Sequence, residues 1–339
     1  MIQTGSRDRK LQNLQYFTGS LRIKAFDFSK RSAPGPRKSQ VNWIPFPSSP
    51  QEQAYNSPAD EIYYGGSAGG GKTDLGLGLA TTAHRRSLIL RREYPQLRAI
   101  IERSAEIIGE NGTYNQSTGV WRLSHGATIE FGSCQHDLDR RKYQGRPHDL
   151  IVFDEAPEFL ESQVMFISGW ARTDRPSQRV RVVLCGNPPL TAEGLWILRR
   201  YAAWLDPRHP NPAKPGELRW YARVNGKEVE RPDGVPFIHN GELIAPKSRT
   251  FIRASVEDNP VYMASGYKAQ LQSLPEPLRS QLLNGDMTIG QEDDPMQVIP
   301  TAWVQAAQER WKPRQHSGPY AEAIGVDVAR GGKDQTVIA

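Results

Sequence analysis

Glu61-Ile62-Tyr63-Tyr64-Gly65-Gly66-Ser67-Ala68-Gly69-Gly70-Gly71-Lys72-Thr73-Asp74 is the stretch on which the fold turns. Its octapeptide from Gly66 to Thr73 fits G-x-x-x-x-G-K-[ST]. In such a loop the glycines let successive backbone N–H groups curl around phosphates, the lysine neutralises charge on the β- and γ-phosphates, and the threonine hydroxyl holds Mg²⁺. Residues 61–64 read as a short strand entering the loop and residues 74–83 as the helix leaving it, which is the context phosphate binding requires. Gly66, Ser67, Ala68, Gly69, Gly70, Gly71, Lys72 and Thr73 are therefore the candidate nucleotide contacts.

A second motif follows about eighty residues later, where the apolar run Leu150-Ile151-Val152-Phe153 ends in Asp154-Glu155. Taken with the loop, Asp154 is expected to hold Mg²⁺ together with Thr73, and Glu155 to orient or deprotonate the water that attacks the γ-phosphate of ATP. Asp154 alone could equally cap the helix after the strand. Phosphoryl transfer also needs a cation over the spreading negative charge. Arg91, Arg92 and Arg98 are candidates because they follow the next strand, Ser87–Leu90, although arginines on a surface helix are commonly solvated. Gln53 or Gln51 could read adenine through an amide's paired donor and acceptor. Asn187, after the run ending at Cys185, could sense the γ-phosphate or be a turn residue before Pro188.

Around these motifs, Ser49 opens a short capped helix, residues 97–108 have helical spacing, and two apolar stretches flanking His125-Gly126 read as a hairpin. A helix is expected from Glu158 to about Ala171 and a strand from Arg179 to Cys185. Strands alternating with helices imply a mostly parallel α/β sheet flanked by helices. Residues 206–250 are rich in Pro, Gly and charge and read as loops with an antiparallel insertion, and residues 261–284 as two short helices. Near the end, Ala323–Ala329 reads as a strand carrying Asp327, followed by a turn containing Asp334 and a returning strand in which the sequence stops. A domain is expected to begin there.

The 339 residues carry a net charge of +6, unevenly spread. Residues 1–40 hold nine Lys/Arg and two Asp, leaving the remainder nearly neutral. Such an arm could track nucleic acid, dock on an acidic partner, or be a solubilising leader. Two cysteines, Cys134 and Cys185, favour a reducing compartment over a disulfide scaffold or a zinc site. No run of eighteen apolar residues and no apolar signal core are present, so the expectation is a cytoplasmic protein without membrane spans.

In order along most of the chain, these residues resemble the large terminase subunit of tailed double-stranded DNA bacteriophages. Tyr64-Gly65-Gly66-Ser67-Ala68-Gly69-Gly70-Gly71-Lys72-Thr73 is similar to the family's phosphate loop, with Gln53 standing where its adenine-reading motif lies. Leu90–Leu97 is similar to its second-strand motif, and Tyr143-Gln144-Gly145-Arg146 leads into Val152-Phe153-Asp154-Glu155-Ala156 as it does there. Gly186-Asn187-Pro188 resembles the motif coupling hydrolysis to DNA movement, while Glu257-Asp258-Asn259-Pro260 and Asn284-Gly285-Asp286 fall in its lid region. Many members carry an arginine early in the loop, where Ser67-Ala68 stand here, which leaves the position of the arginine finger open.

The resemblance implies a P-loop NTPase of the ASCE type over residues 41–255 after the arm of residues 1–40, a lid and linker over 256–318, and from 319 the beginning of an RNase H-like nuclease. Asp327, and after it Asp334, would be the first ligands of that nuclease's Mg²⁺ or Mn²⁺ ions; with later acids absent, DNA cleavage by these residues alone is not expected. The implied activity is ATP-driven packaging of double-stranded DNA in the cytoplasm of a bacterial host. Its implied partners are a portal ring on a procapsid, a small terminase subunit, and further copies of the chain in a ring. A helicase-like ATPase and a non-catalytic ATP-binding docking module are the alternative readings.

Overall fold

The computed structural model describes Val41, residues 43–287, Ile299, Trp303, Ala307 and the backbone of Val326–Asp327 and Val337–Ile338. The chain divides into two units, one ending at Glu292 and one beginning at Asp293. Within the first, apolar runs become strands buried on both faces: β1 (Glu61–Gly66), β2 (Arg86–Arg91), β6 (Leu150–Phe153) and β7 (Arg181–Gly186). They pair in parallel with β5 (Thr128–Ser133) on one side and β12 (Lys247–Ala254) on the other, in the order β5-β2-β6-β7-β1-β12.

Antiparallel strands extend both edges of this core. β3 (Gly112–Asn115) and β4 (Val120–Leu123) continue beyond β5; the β4–β5 turn is the expected hairpin around Gly126. β8 (Arg219–Val224) and β9 (Lys227–Arg231) continue beyond β12, and β10 (Phe237–His239) pairs with β11 (Glu242–Ile244) as a separate ribbon. The insertion expected within 206–250 is therefore present, but its last residues begin β12, a core strand that the charge of Lys247, Arg249 and Arg253 concealed.

Side-chain alternation divides the core in two. Ile62, Tyr64, Ile89, Val152, Val183 and Ile252 pack towards α1 (Pro50–Asn56), α2 (Lys72–Thr82) and α3 (Leu97–Ile108). Tyr63, Leu90, Phe153, Leu184 and Phe251 pack on the other side towards α4 (Glu161–Ser168) and the short α5 (Trp196–Arg200) and α6 (Ala202–Leu205). Helix α4 is shorter than the sequence suggests. Residues 156–158 form a single 3₁₀ turn and Phe159 and Leu160 are extended, so the helix starts only at Glu161, where Gln163 closes its first turn by accepting the Leu160 N–H.

After β12, three short helices rather than two follow: α7 (Pro260–Ala264), α8 (Tyr267–Gln272) and α9 (Leu278–Asn284). In the second unit β13 (Val326–Asp327) pairs antiparallel with β14 (Val337–Ile338), as the expected strand and return. Asp327 lies on β13, whereas Asp334 and the arm of residues 1–40 fall outside the described residues. No helix among the described residues is long and apolar enough to cross a membrane, and both cysteines are buried thiols.

Candidate nucleotide site

The loop between β1 and α2 folds as its glycines allow. Gly66 has φ 141° and passes so close to β12 that a Cβ there would lie 2.2 Å from the Ala254 carbonyl oxygen. Gly71 takes the left-handed region at φ 73° immediately before α2, whose N-terminus then faces the loop interior. Lys72 is buried and folds back over the loop, its Nζ donating to Ser67 O at 2.6 Å and to Asn187 Oδ1 at 2.8 Å. Burial lowers its pKa, against the opposing charges of Glu155 and Asp154.

The acidic pair sits where β6 ends. Thr73 Oγ1 donates to Asp154 at 3.2 Å, and Arg91, from the end of β2, donates to the same carboxylate through Nε at 2.9 Å and Nη2 at 2.7 Å. Glu155 adopts φ 56° and ψ 55°, a left-handed conformation that costs a non-glycine residue on the order of 1–3 kcal/mol and that turns its side chain towards Asn187. The Asn187 backbone N–H and Nδ2 donate to Glu155 at 3.3 and 3.4 Å. Asn187 thus touches the loop lysine with its carbonyl and the candidate base with its amide. Loss of water contact raises the Glu155 pKa and the charge of Asp154 adds to this, while Lys72 and Arg91 oppose it.

These groups line one cavity of about 790 Å³, within the range of small-molecule sites. Lys72, Thr73, Glu155, Asn187 and Arg91 all reach it, with Asp154 directly behind. Two of the three candidate arginines do not. Arg92 donates to Gln163 on α4 at 2.5 Å, and Arg98 is exposed and pairs with Glu102 along α3. Gln53 is exposed on the far side of α1, where it covers Gly216; Gln51 reaches the cavity instead. The Gln51 amide accepts from Phe46 N and donates to Gly71 O, both at 3.0 Å, so it shapes the loop. Gln51 and Ala54 are the buried i, i+3 pair of α1, a signal that favoured Gln51 over Gln53.

Other walls of the cavity were not singled out from the sequence. Arg103 of α3 forms a two-pronged pair with Asp74 at 2.9 and 2.7 Å, and Trp43, Phe46, Tyr262 and Tyr267 supply aromatic surface. The segment after β12 also grips the loop directly. Ser67 Oγ accepts from Val256 N at 2.8 Å, Ala68 N donates to Leu282 O at 2.7 Å, and Asn259 Nδ2 donates to Gly69 O at 2.9 Å. Asn259 simultaneously caps α7 through its Oδ1, an Asn-Pro signature legible beforehand as a helix start but not as a loop contact.

No family model and no curated protein matches the chain. Among solved structures it is similar to the large terminase of a thermophilic bacteriophage, at 13% identity over 67% of this chain and 48% of that one, with a TM-score of 0.44. It is similar also to the large terminase ATPase domain of Thermus phage P74-26 (14% identity, 71% of this chain and 94% of that one, TM-score 0.43). The HK97 bacteriophage large terminase follows at 10% identity, 70% and 49% coverage and a TM-score of 0.38. The first of these proteins has also been solved with ADP and with ATP-gamma-S. The chain spans about half the length of the thermophilic-phage and HK97 proteins.

Proposed function

We propose that the chain hydrolyses ATP and couples that hydrolysis to the movement of double-stranded DNA, as the ATPase part of a phage DNA-packaging motor. The observation that carries this reading is the continuous link Lys72–Asn187–Glu155 beside the Thr73–Asp154 pair at the mouth of the loop. A lysine for the phosphates, an acid poised for a water and an amide joining the two are what phosphoryl transfer to water needs. Thr73 and Asp154 fit a divalent cation of Mg²⁺ type, since their oxygens already converge to within hydrogen-bonding distance. Such an ion would neutralise charge between the β- and γ-phosphates.

Burial and the neighbouring Asp154 charge raise the Glu155 pKa, which makes its carboxylate a stronger proton acceptor towards water. Arg91 is the one of the three candidate arginines placed to reach a γ-phosphate, by leaving Asp154. Three consecutive loop residues are hydrogen-bonded to the segment 256–282, so a change of loop shape on phosphate binding acts on that segment without an intermediary. Coupling of this kind supports a lid that moves DNA. A ring of copies, a portal on a procapsid and a small terminase subunit are the partners such a motor uses.

ATP turnover measured against protein concentration, with and without duplex DNA, tests the proposal against Glu155→Gln. Turnover rising faster than linearly with concentration and falling by about 10²-fold or more in the variant is the expected result. Nucleotide binding with turnover unaffected by the variant would remove Glu155 from the chemistry and refute the reading.

A further inference from the structure

At the opposite end of the parallel sheet from the nucleotide site, a second cleft of about 110 Å³ is lined by Arg85, Arg86, Arg172 and Arg175 together with Thr128, Asp149 and Asp174. Four guanidinium groups there face two carboxylates, an excess of two positive charges. Asp149 is buried and engaged with the backbone N–H groups of Arg85 and Arg86 and with His84 Nδ1 at 3.1 Å. Asp174 is exposed and approaches Arg86 only to 3.6 Å.

Arg85 and Arg172 are held in place by uncharged partners. Arg85 Nη1 donates to His125 O at 2.7 Å, and its buried Nε has no hydrogen-bond partner among the described residues. Arg172 lies over the Trp170 ring at 5.3 Å and donates through Nη2 to Gly145 O at 2.6 Å. The exposed side chain of Arg175 has no hydrogen-bond or ion-pair partner among the described residues. Another group of neighbouring arginines in this unit, Arg200 and Arg249, is matched by the carboxylates of Glu61 and Glu228. Guanidinium charge in excess of the carboxylates beside it is repulsive unless an anion completes it.

We propose that this arginine cleft binds the sugar-phosphate backbone of duplex DNA. The inference rests on the reading of the chain as a DNA motor and supplies a contact surface for it. A guanidinium presents a planar fork that matches phosphate oxygens. The cleft admits a single oxyanion, while the exposed Arg86, Arg172 and Arg175 at its rim can follow neighbouring phosphates. Strand β6 runs between the two sites, with Asp149 immediately before it at the cleft and Asp154 immediately after it at the nucleotide.

The test is the salt dependence of duplex binding by the full chain, measured by fluorescence anisotropy, against the double variant Arg172→Gln/Arg175→Gln. Both residues are exposed and neither belongs to the nucleotide site, so ATP turnover without DNA should be unchanged. Each phosphate contact contributes roughly 0.9 to the slope of log K against log salt, so the variant should flatten that slope by about 2. Wild-type binding with the same slope in the variant overturns the cleft as a DNA surface and leaves the motor reading standing. No duplex binding by the wild-type chain at low salt overturns both. Unchanged DNA binding, together with inorganic phosphate binding that the variant abolishes, makes the cleft a small-anion site and also overturns the proposal.

Discussion

Replacing Glu61 by Gln should destabilise the protein in a way that fades as the solution is acidified. Glu61 begins β1 and is paired in register with Arg249 of β12. Its carboxylate accepts from Arg200 at 2.8 and 2.6 Å, from Tyr201 Oη at 2.7 Å, and lies 3.1 Å from Arg249 Nε. Burial alone would raise its pKa, but Arg200 and Arg249 together with these hydrogen bonds bring it down from 4.5 to about 2. A carboxylate depressed by that amount contributes about 3 kcal/mol of stability. Because the folded value lies below the unfolded one, this contribution is complete above the unfolded pKa of 4.5 and disappears as pH falls towards 2. Linkage gives a loss of about 2 kcal/mol between pH 7 and pH 3. Urea unfolding of wild type and Glu61→Gln across that range should show a stability difference of about 3–5 kcal/mol at neutral pH, since the variant leaves two buried guanidiniums short of an acceptor. The difference should shrink by about 2 kcal/mol at the acid end. A difference independent of pH would refute the argument, because it would mean that packing rather than charge holds β1 to β12.

Two further substitutions probe the nucleotide site. Asn187→Leu keeps the branching and heavy-atom count of the side chain while cutting the link between Lys72 and Glu155; single-turnover kinetics should show hydrolysis slowed by about 10²-fold, with ATP affinity within a few fold of wild type. Gly285→Ala places a Cβ 2.6 Å from Ser67 N at a φ of 63°, a conformation costing a non-glycine residue about 1–2 kcal/mol, so titration with a non-hydrolysable ATP analogue should show affinity reduced by roughly tenfold while the core melts as before.

What could be read in the sequence followed the chemistry each residue shows within its own neighbourhood. Gly66 to Thr73, Asp154 and Glu155 were legible because a phosphate cradle and an acid after a buried strand are local patterns, and the structure brings Lys72, Thr73, Asp154, Glu155 and Asn187 together. Arg91, Arg92 and Arg98 could not be separated locally: the end of β2 aims Arg91 at Asp154, whereas Arg92 turns to Gln163 and Arg98 falls on the solvent side of α3. β12 stayed hidden for an energetic reason. Arg249 is almost fully buried, which a charged residue can be only when it is paired, and its partners Glu61 and Glu228 and the rings of Tyr201 and Tyr221 come from three other stretches of the chain.

That hidden strand governs the loop. Because β12 runs parallel to β1 with Ala254 beside Gly66, the residues that follow it emerge at the same edge as the phosphate loop. Val256, Asn259 and Leu282 then bond to Ser67 Oγ, Gly69 O and Ala68 N. Two of these three contacts use the loop's backbone, and no side-chain motif could have announced them. Ser67-Ala68 carries no charge for catalysis and instead presents a hydroxyl and an amide to the segment that lines one wall of the cavity. An arginine introduced at Ala68 would leave the Leu282 bond available through its amide, whereas one at Ser67 would remove the acceptor for Val256, so only the second substitution should weaken the hold of the segment on the loop.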